Sequence, residues 1–304
     1  MTRILDTRRI RTLDLAEPLD DGRAFVAAAS GLAVTGGRLV VAADDLVHLA
    51  SFTEDPARGG LLHRVLDDEL PTAPAERKRR KPDLEALTVL PPAPGFPHGA
   101  LLALGSGSTA ARERALVIPL DAGGTPGPAV YVRDLGPVYL ALREHRDEVN
   151  VEAAVVLGDE ALLVSRAHAG APANLVARFP LAEVLAWAGG GAAPAPRSVD
   201  EWRLGDIDGV PLGVTDAAPH PAGGWVFTAA AEDTDDAYAD GAVAGAVAGR
   251  VDAAGTVVAA RIAPSVKVEG VVARMVPGGT ELLMVTDADD PGAPAALLAA
   301  VLPA

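Results

Sequence analysis

The chain has 304 residues, 49% of them hydrophobic, and 41 acidic against 26 basic side chains give a formal charge of -15. That length can bury a sizeable core as one domain over 1–304, and the acidic balance argues against nucleic acid as a partner, because duplex affinity rests on clustered Lys and Arg. Cysteine is absent, which excludes disulfides, thiol nucleophiles, Cys-ligated zinc and iron–sulfur centres.

The N-terminal stretch MTRILDTRRIRTLDLAEP alternates charge with apolar residues and lacks the apolar core of a signal peptide. No run reaches the roughly 18 apolar residues of a membrane span, so the expectation is a cytoplasmic protein with no membrane partner. Beyond it, short β-like runs punctuated by Gly, Pro, Asp and Asn continue to the end of the chain. Two stretches read as short helical inserts: PVYLALREHRDE, Pro137 to Glu148, and PLAEVLAWAGGG, Pro180 to Gly191, each opening on Pro. Alternating βαβ order is missing, which removes a doubly wound sheet.

Five segments superpose when aligned on the residue that opens an apolar run: Ser30 in SGLAVTGGRLVVAADD, Glu85 in EALTVL, Glu152 in EAAVVLGDEALLVSRAH, Asp216 in DAAPHPAGGWVFTAAAEDTD and Glu269 in EGVVARMVPGGTELLMVTDADD. Each is an acid or Ser, a small residue, a strand, a turn and a second strand. With two further strands behind each, the pattern predicts an all-β fold, a single β-propeller of five blades. A sixth blade is open if the inserts at 53 to 83 or 120 to 150 hold another sheet. The last repeat has only ALLAAVLP after it, so RILDTRRIRTLDL at the N-terminus is expected to supply its outer strand and close the ring.

In a propeller the start of the first strand and the end of the second meet at one channel mouth. This sets Ser30 beside Asp44, Glu85 beside Ser106, Glu152 beside Arg166, Asp216 beside Glu232 and Asp233, and Glu269 beside Asp287. Four carboxylates, Glu85, Glu152, Asp216 and Glu269, then ring the entrance. Either some take up protons or a cation sits among them. With oxygen donors only, that cation is Ca²⁺ ahead of Mg²⁺ or Mn²⁺. The other reading is that each acid staples the backbone of its neighbouring blade. Lys81, Arg166 and Lys267 approach the same mouth and either face a small anionic ligand or neutralise the acids.

Other signatures fail or are weak. GSGST, Gly105 to Thr109, has neither phosphate-loop nor nucleophile-elbow spacing. ERKRRK, Glu76 to Lys81, reads as a solvated loop ahead of an anion clamp. DADDPG from Asp287 reads as a turn, since Pro291 and Leu298 stand where an EF-hand needs ligands. EDTDDAYADG, Glu232 to Gly241, is an acidic loop that fits a second Ca²⁺ or a solvated connection. No histidine pair has zinc-site spacing; His168, two residues past Arg166, is the one set near the mouth, where a pairing with Asp216 is conceivable.

The strand starts LEAL, VEAA and VEGV, recurring once per blade, resemble those of the phytase-like β-propellers: bacterial calcium-dependent phytases, esterase-like activity of phytase domains and five-bladed calcium-binding relatives. Arg77 to Leu87, Leu104 to Ser108 and Asn150 to Ala153 resemble in particular a bacterial branch with RKxRKPDxEAL, LGSGS and N-[VI]-E-[GA] motifs. The resemblance implies mouth carboxylates that hold Ca²⁺ and a substrate phosphate, hence Glu85, Glu152, Asp216 and Glu269 as metal ligands and Lys81, Arg166 and Lys267 facing the anion. Ser30 in the first blade and the sparse acid clusters depart from the phytase pattern. Two functions follow: a Ca²⁺-dependent hydrolase of a small phosphoester or ester, and a non-catalytic propeller binding a ligand or protein at that mouth with a structural acid ring.

Overall fold

The computed structural model describes residues 3–71, 73–234, 241–287 and 289–303. After β1 (Ile4–Asp6) and β2 (Arg8–Thr12), the first sheet is β3 (Ala29–Thr35), β4 (Arg38–Ala43), β5 (His48–Phe52) and β6 (Leu61–Arg64). The second is β7 (Leu84–Leu90), β8 (Ala100–Gly105), β9 (Arg114–Pro119) and β10 (Tyr131–Asp134). The third is β11 (Val151–Leu157), β12 (Glu160–Ser165), β13 (Asn174–Pro180) and β14 (Ser198–Trp202). A two-residue β15 (Asp206–Ile207) precedes the fourth, β16 (Val210–Pro219), β17 (Trp225–Asp233), β18 (Ala242–Val251) and β19 (Val257–Ala263). The fifth is β20 (Val268–Val276), β21 (Gly279–Thr286) and β22 (Ala296–Pro303), completed by β2.

The inner strands β3, β7, β11, β16 and β20 adjoin in that order, and β20 adjoins β3. The protein is therefore a five-bladed propeller, and among the described residues the inserts at 53–83 and 120–150 hold no sixth sheet; they carry the outer strands β6 and β10 and two of the helices. Apolar faces of neighbouring blades pack on each other: Leu84, Leu87 and Leu101 against Val40 and Leu49, and Trp225 and Phe227 against Val164 and Val176.

The N-terminus closes the ring as expected and does more. While β2 pairs antiparallel with β22, β1 pairs parallel with β19, so one segment straps the fourth blade to the fifth. Arg11 at its end donates to the carbonyls of Thr53 and Asp55 at 2.9 and 2.8 Å and lies 5.1 Å from the Phe52 ring centroid, tying the strap to the first blade as well.

Both expected helices form, as α2 (Gly136–Arg143) and α3 (Leu181–Ala188), and a third, α1 (Pro74–Arg80), replaces the loop expected over ERKRRK. Glu76 in its first turn and four consecutive basic residues in its last suit the helix dipole. Arg77 fastens it by donating to the Asp45 carbonyl at 2.8 Å. Among the described residues no helix is long and apolar enough to cross a membrane.

Candidate functional site at the channel mouth

All five inner strands carry the same irregularity, a β-bulge, right after the first pair in four blades and after the third pair, at Val214, in the fourth. A bulge leaves one residue outside the ladder and re-aims its side chain. The bulged residues are Ser30, Glu85, Glu152, Thr215 and Glu269, because the pairing jumps across each of them. The expected ring is thus corrected in the fourth blade: Thr215 holds the equivalent position, and Asp216 falls one residue later. Three carboxylates and two hydroxyls form the ring.

The two hydroxyls act as staples. Ser30 donates to the Leu84 carbonyl at 2.8 Å and Thr215 to the Val268 carbonyl at 2.6 Å, each fixing the inner strand of the next blade just before its glutamate. Asp216 is fully buried, and its Oδ2 accepts the Val271 N–H at 2.8 Å. The other four blades place Gly31, Ala86, Ala153 and Gly270 after the bulge, and those small residues leave room for one carboxyl among them. A Cβ on Gly31 would meet Leu87 at 3.0 Å and one on Gly270 would meet Leu32 at 3.0 Å, so the strands close on each other below the mouth. Burial pushes Asp216 well above the usual carboxylate range, against the pull of the Val271, Ala217 and Leu32 amides. It takes the stapling role, and among the described residues it does not line the mouth. Asp216→Ala, which strands the Val271 N–H and leaves a hole, is expected to cost about 2–3 kcal/mol. Asp216→Asn, which keeps the acceptor, should cost less than half of that in urea denaturation.

Above this floor lies a cavity of about 300 Å³ lined by ten carboxylates, six Lys or Arg side chains, Ser30, Asn150, Thr234 and His168 among others. Of the expected site residues, Lys81, Ser30, Asp44, Glu85, Glu152, Arg166, Glu269, Lys267 and Asp287 all face it. Ser106 does not: it is buried and donates to Asp83 Oδ2 at 2.5 Å. Asp233 is exposed outside the cavity, while Glu232 lines it. The pairing of His168 with Asp216 does not arise, because His168 Nε2 lies 3.4 Å from Glu148 and Asp216 is enclosed. Asp235 to Asp240 of the acidic loop lie outside the described residues.

The three basic residues expected to face an anion are each held between carboxylates. Lys81 Nζ contacts Asp44 Oδ2 and lies 3.0 Å from Asp83 Oδ1. Arg166 reaches Glu232 at 2.8 Å and Glu152 at 3.4 Å. Lys267 lies 3.0 Å from Asp289, 3.3 Å from Glu269 and 3.7 Å from Glu232. This is the neutralising arrangement. Burial works to lower both lysines, yet the surrounding carboxylates outweigh it and hold their ammonium groups above the ordinary range.

Neutralisation is incomplete. Burial raises Glu152 to about 8 despite Arg166, and raises Glu269 to about 7 despite Lys267. Asp287 and Asp44 rise to about 7 and about 6 for the same first reason. Glu85 stands well above the normal range through burial and then the charges of Glu152, Asp83 and Asp44. Glu232, where Arg166 and Lys267 overcome burial, falls below it. Asp83 and Arg112, which sequence reading missed, belong to the same network, joined at 2.8 Å. Asp83 holds a left-handed backbone, φ 55°, that turns its carboxylate toward Lys81 and Ser106. No local motif marks Arg112, because its partners Asp83 and the Lys78 carbonyl lie ahead of the first strand of its blade, the latter 34 residues back in the chain.

The chain belongs to the family described as "Family of unknown function (DUF6929)", which matches residues 25–302. No curated protein matches it. Solved structures of similar shape include an α-L-arabinofuranosidase from Podospora anserina, 11% identical over 99% of this chain and 97% of that one, TM-score 0.48. Others are an aldose sugar dehydrogenase from Streptomyces coelicolor, 12% identical over 97% and 98%, TM-score 0.44, and a glycosyl hydrolase from Bacteroides ovatus, 10% identical over 93% and 86%, TM-score 0.43. These likenesses concern the propeller fold alone.

Proposed function

We propose that the channel mouth binds a divalent cation, Ca²⁺ ahead of Mg²⁺ or Mn²⁺, together with a small anionic molecule, as a phytase-like site with fewer carboxylates. The observation that carries this reading is Glu85. Its carboxylate faces the cavity with no hydrogen bond or ion pair to any described residue, and Asp44 and Asp83 each bring an oxygen within 4.8 Å of its own. An unpaired, half-buried carboxylate beside like charges is unfavourable unless it is protonated or meets a cation. Oxygen-only donors with water access suit a hard ion. Such a cation, drawing charge from Glu85, Glu152 and Glu269, would leave Arg166 and Lys267 with positive charge to offer an anion.

Hydrolysis of a phosphoester or ester is a second reading, favoured by Glu152 and Glu269 at about 8 and about 7, the range where a carboxylate exchanges protons at neutral pH. A metal ion there would supply the polarisation of the anion and of water. Titration calorimetry of metal-stripped protein with Ca²⁺ tests the binding. Heat with release of protons is expected, reduced at least tenfold in affinity by Glu152→Gln or Glu269→Gln; no heat at millimolar Ca²⁺ sinks it. Turnover of generic phosphoesters and esters, abolished by EDTA, would establish the hydrolase, and its absence with any divalent metal would leave a binding protein.

A further inference from the structure

A second hollow opens beside the first blade, of about 310 Å³ and so at the low end of small-molecule sites, roughly 300–1,000 Å³. Four pieces of chain enclose it: the turn at Leu19 to Asp21, the β4–β5 connection with Leu46 and Val47, the paired strands β5 and β6, and the segment Asp68 to Leu70 ahead of α1. Its floor is apolar, since Leu19, Leu46 and Val47 are all buried. Arg77 of α1 lines both this hollow and the channel mouth.

His48 and Arg64 face the hollow as a directly opposed pair across β5 and β6. Neither side chain holds the fold together. The His48 imidazole makes no hydrogen bond or ion pair with any described residue. Arg64 donates to the Asp68 carbonyl at a long 3.4 Å and stands 3.9 Å from Asp20, whose side chain is 93% exposed. An exposed pair at that separation is worth little, and most of the guanidinium's five donors are left for another partner. Arg77, by contrast, is committed to the Asp45 carbonyl at 2.8 Å. Burial first, and the Arg64 charge second, lower His48, so its imidazole is neutral near pH 7 and offers one donor and one acceptor.

These features together name a ligand class. A guanidinium fork matches a carboxylate through two parallel hydrogen bonds, the adjoining neutral imidazole can donate a third, and the floor takes apolar surface out of water. Asp20, Asp68 and Glu69 line the same hollow from exposed positions and repel a second negative charge, which disfavours a phosphate dianion. We propose that this hollow binds a small monocarboxylic acid, its carboxylate on Arg64 and His48 and its apolar body against Leu46, Val47 and Leu70. The site goes beyond the cation reading of the mouth and does not depend on it.

Labelling with ¹³C at the histidine Cε1 reports on all six imidazoles, and the His48 signal is assigned by its loss in His48→Gln. Benzoate and hexanoate, an aromatic and a linear monocarboxylate, are the probes, added to the metal-free protein. At least one is expected to shift the His48 signal saturably while His168, at the channel mouth, stays in place. Arg64→Leu should weaken that binding at least tenfold through loss of a charge-assisted pair, and Arg64→Gln serves if the Leu variant does not fold. The neutral amides benzamide and hexanamide, and inorganic phosphate, should each bind at least tenfold more weakly than the better acid. A His48 signal unmoved by both acids at tens of millimolar overturns the site, as does undiminished binding by the Arg64 variants. A shift of His168 in place of His48 would put the acid at the mouth and overturn it too. An amide or phosphate that binds as tightly as the acid would overturn the assignment of a monocarboxylate.

Discussion

Lowering the pH from 8.5 to 6.5 is expected to raise the melting temperature of the metal-free protein by roughly 5 °C. Glu152, Glu269 and Asp287 are raised to about 8, about 7 and about 7 in the folded chain, above their values when unfolded. A group raised on folding binds its proton more tightly in the native state, so its contribution is fully present below the unfolded value and is lost as pH climbs through the folded one. Each pH unit between those limits carries about 1.4 kcal/mol per group, and the three together give about 3 kcal/mol over this window. Below pH 6.5 the trend reverses in part. His48, His63 and His220 are all lowered, first by burial, so the unfolded chain takes up their protons before the native one does. For His220 the reason is explicit: Nδ1 accepts the Ala222 N–H at 3.1 Å and Nε2 bonds the Thr280 hydroxyl at 2.8 Å, leaving no place for a second ring proton. Differential scanning calorimetry across pH 5–9 reads the resulting maximum. Glu152→Gln should flatten the limb above pH 6.5, and a flat wild-type profile there would mean that the mouth acids are fully compensated.

The blades were legible because the feature that repeats is physically demanding. An acid or hydroxyl at a bulge, followed by a residue small enough for five inner strands to converge, leaves a mark at Ser30-Gly31, Glu85-Ala86, Glu152-Ala153 and Glu269-Gly270. The fourth blade reads Val214-Thr215-Asp216-Ala217, and aligning on the acid shifts it by one. The residue before the bulge would have corrected it: Ala29, Leu84, Val151 and Val268 are apolar, as Val214 is and Thr215 is not. Charge pairing was less accessible. That Lys81 bridges Asp44 to Asp83 depends on α1 carrying it back over the first blade, and the helix itself forms from a stretch whose charge density suggests a solvated loop.

Replacing Arg166 by Met is expected to destabilise the protein by about 3–5 kcal/mol at pH 8.5, the usual cost of removing one partner from a buried ion pair. Its guanidinium joins the third blade to the fourth through Glu152 and Glu232, which are 3% and 4% exposed. Methionine conserves much of the packed volume, so the loss is electrostatic in origin, and that origin has a signature. Without Arg166, Glu152 loses its main source of compensation, leaving Asn150 as a neutral donor at 2.7 Å. Its proton is then held up to a higher pH. Glu232 keeps Lys267 at 3.7 Å and the Gly241 N–H at 2.9 Å, so it stays charged more readily than its neighbour. Taking up one proton at Glu152 relieves most of the damage, and the destabilisation should shrink by about half at pH 6.5. Urea denaturation of wild type and Arg166→Met at both pH values measures this, with Arg166→Lys falling between them because a single ammonium cannot span both glutamates as the fork does. A penalty of the same size at pH 6.5 and 8.5 would show that Arg166 acts through packing alone and that Glu152 does not titrate in this range.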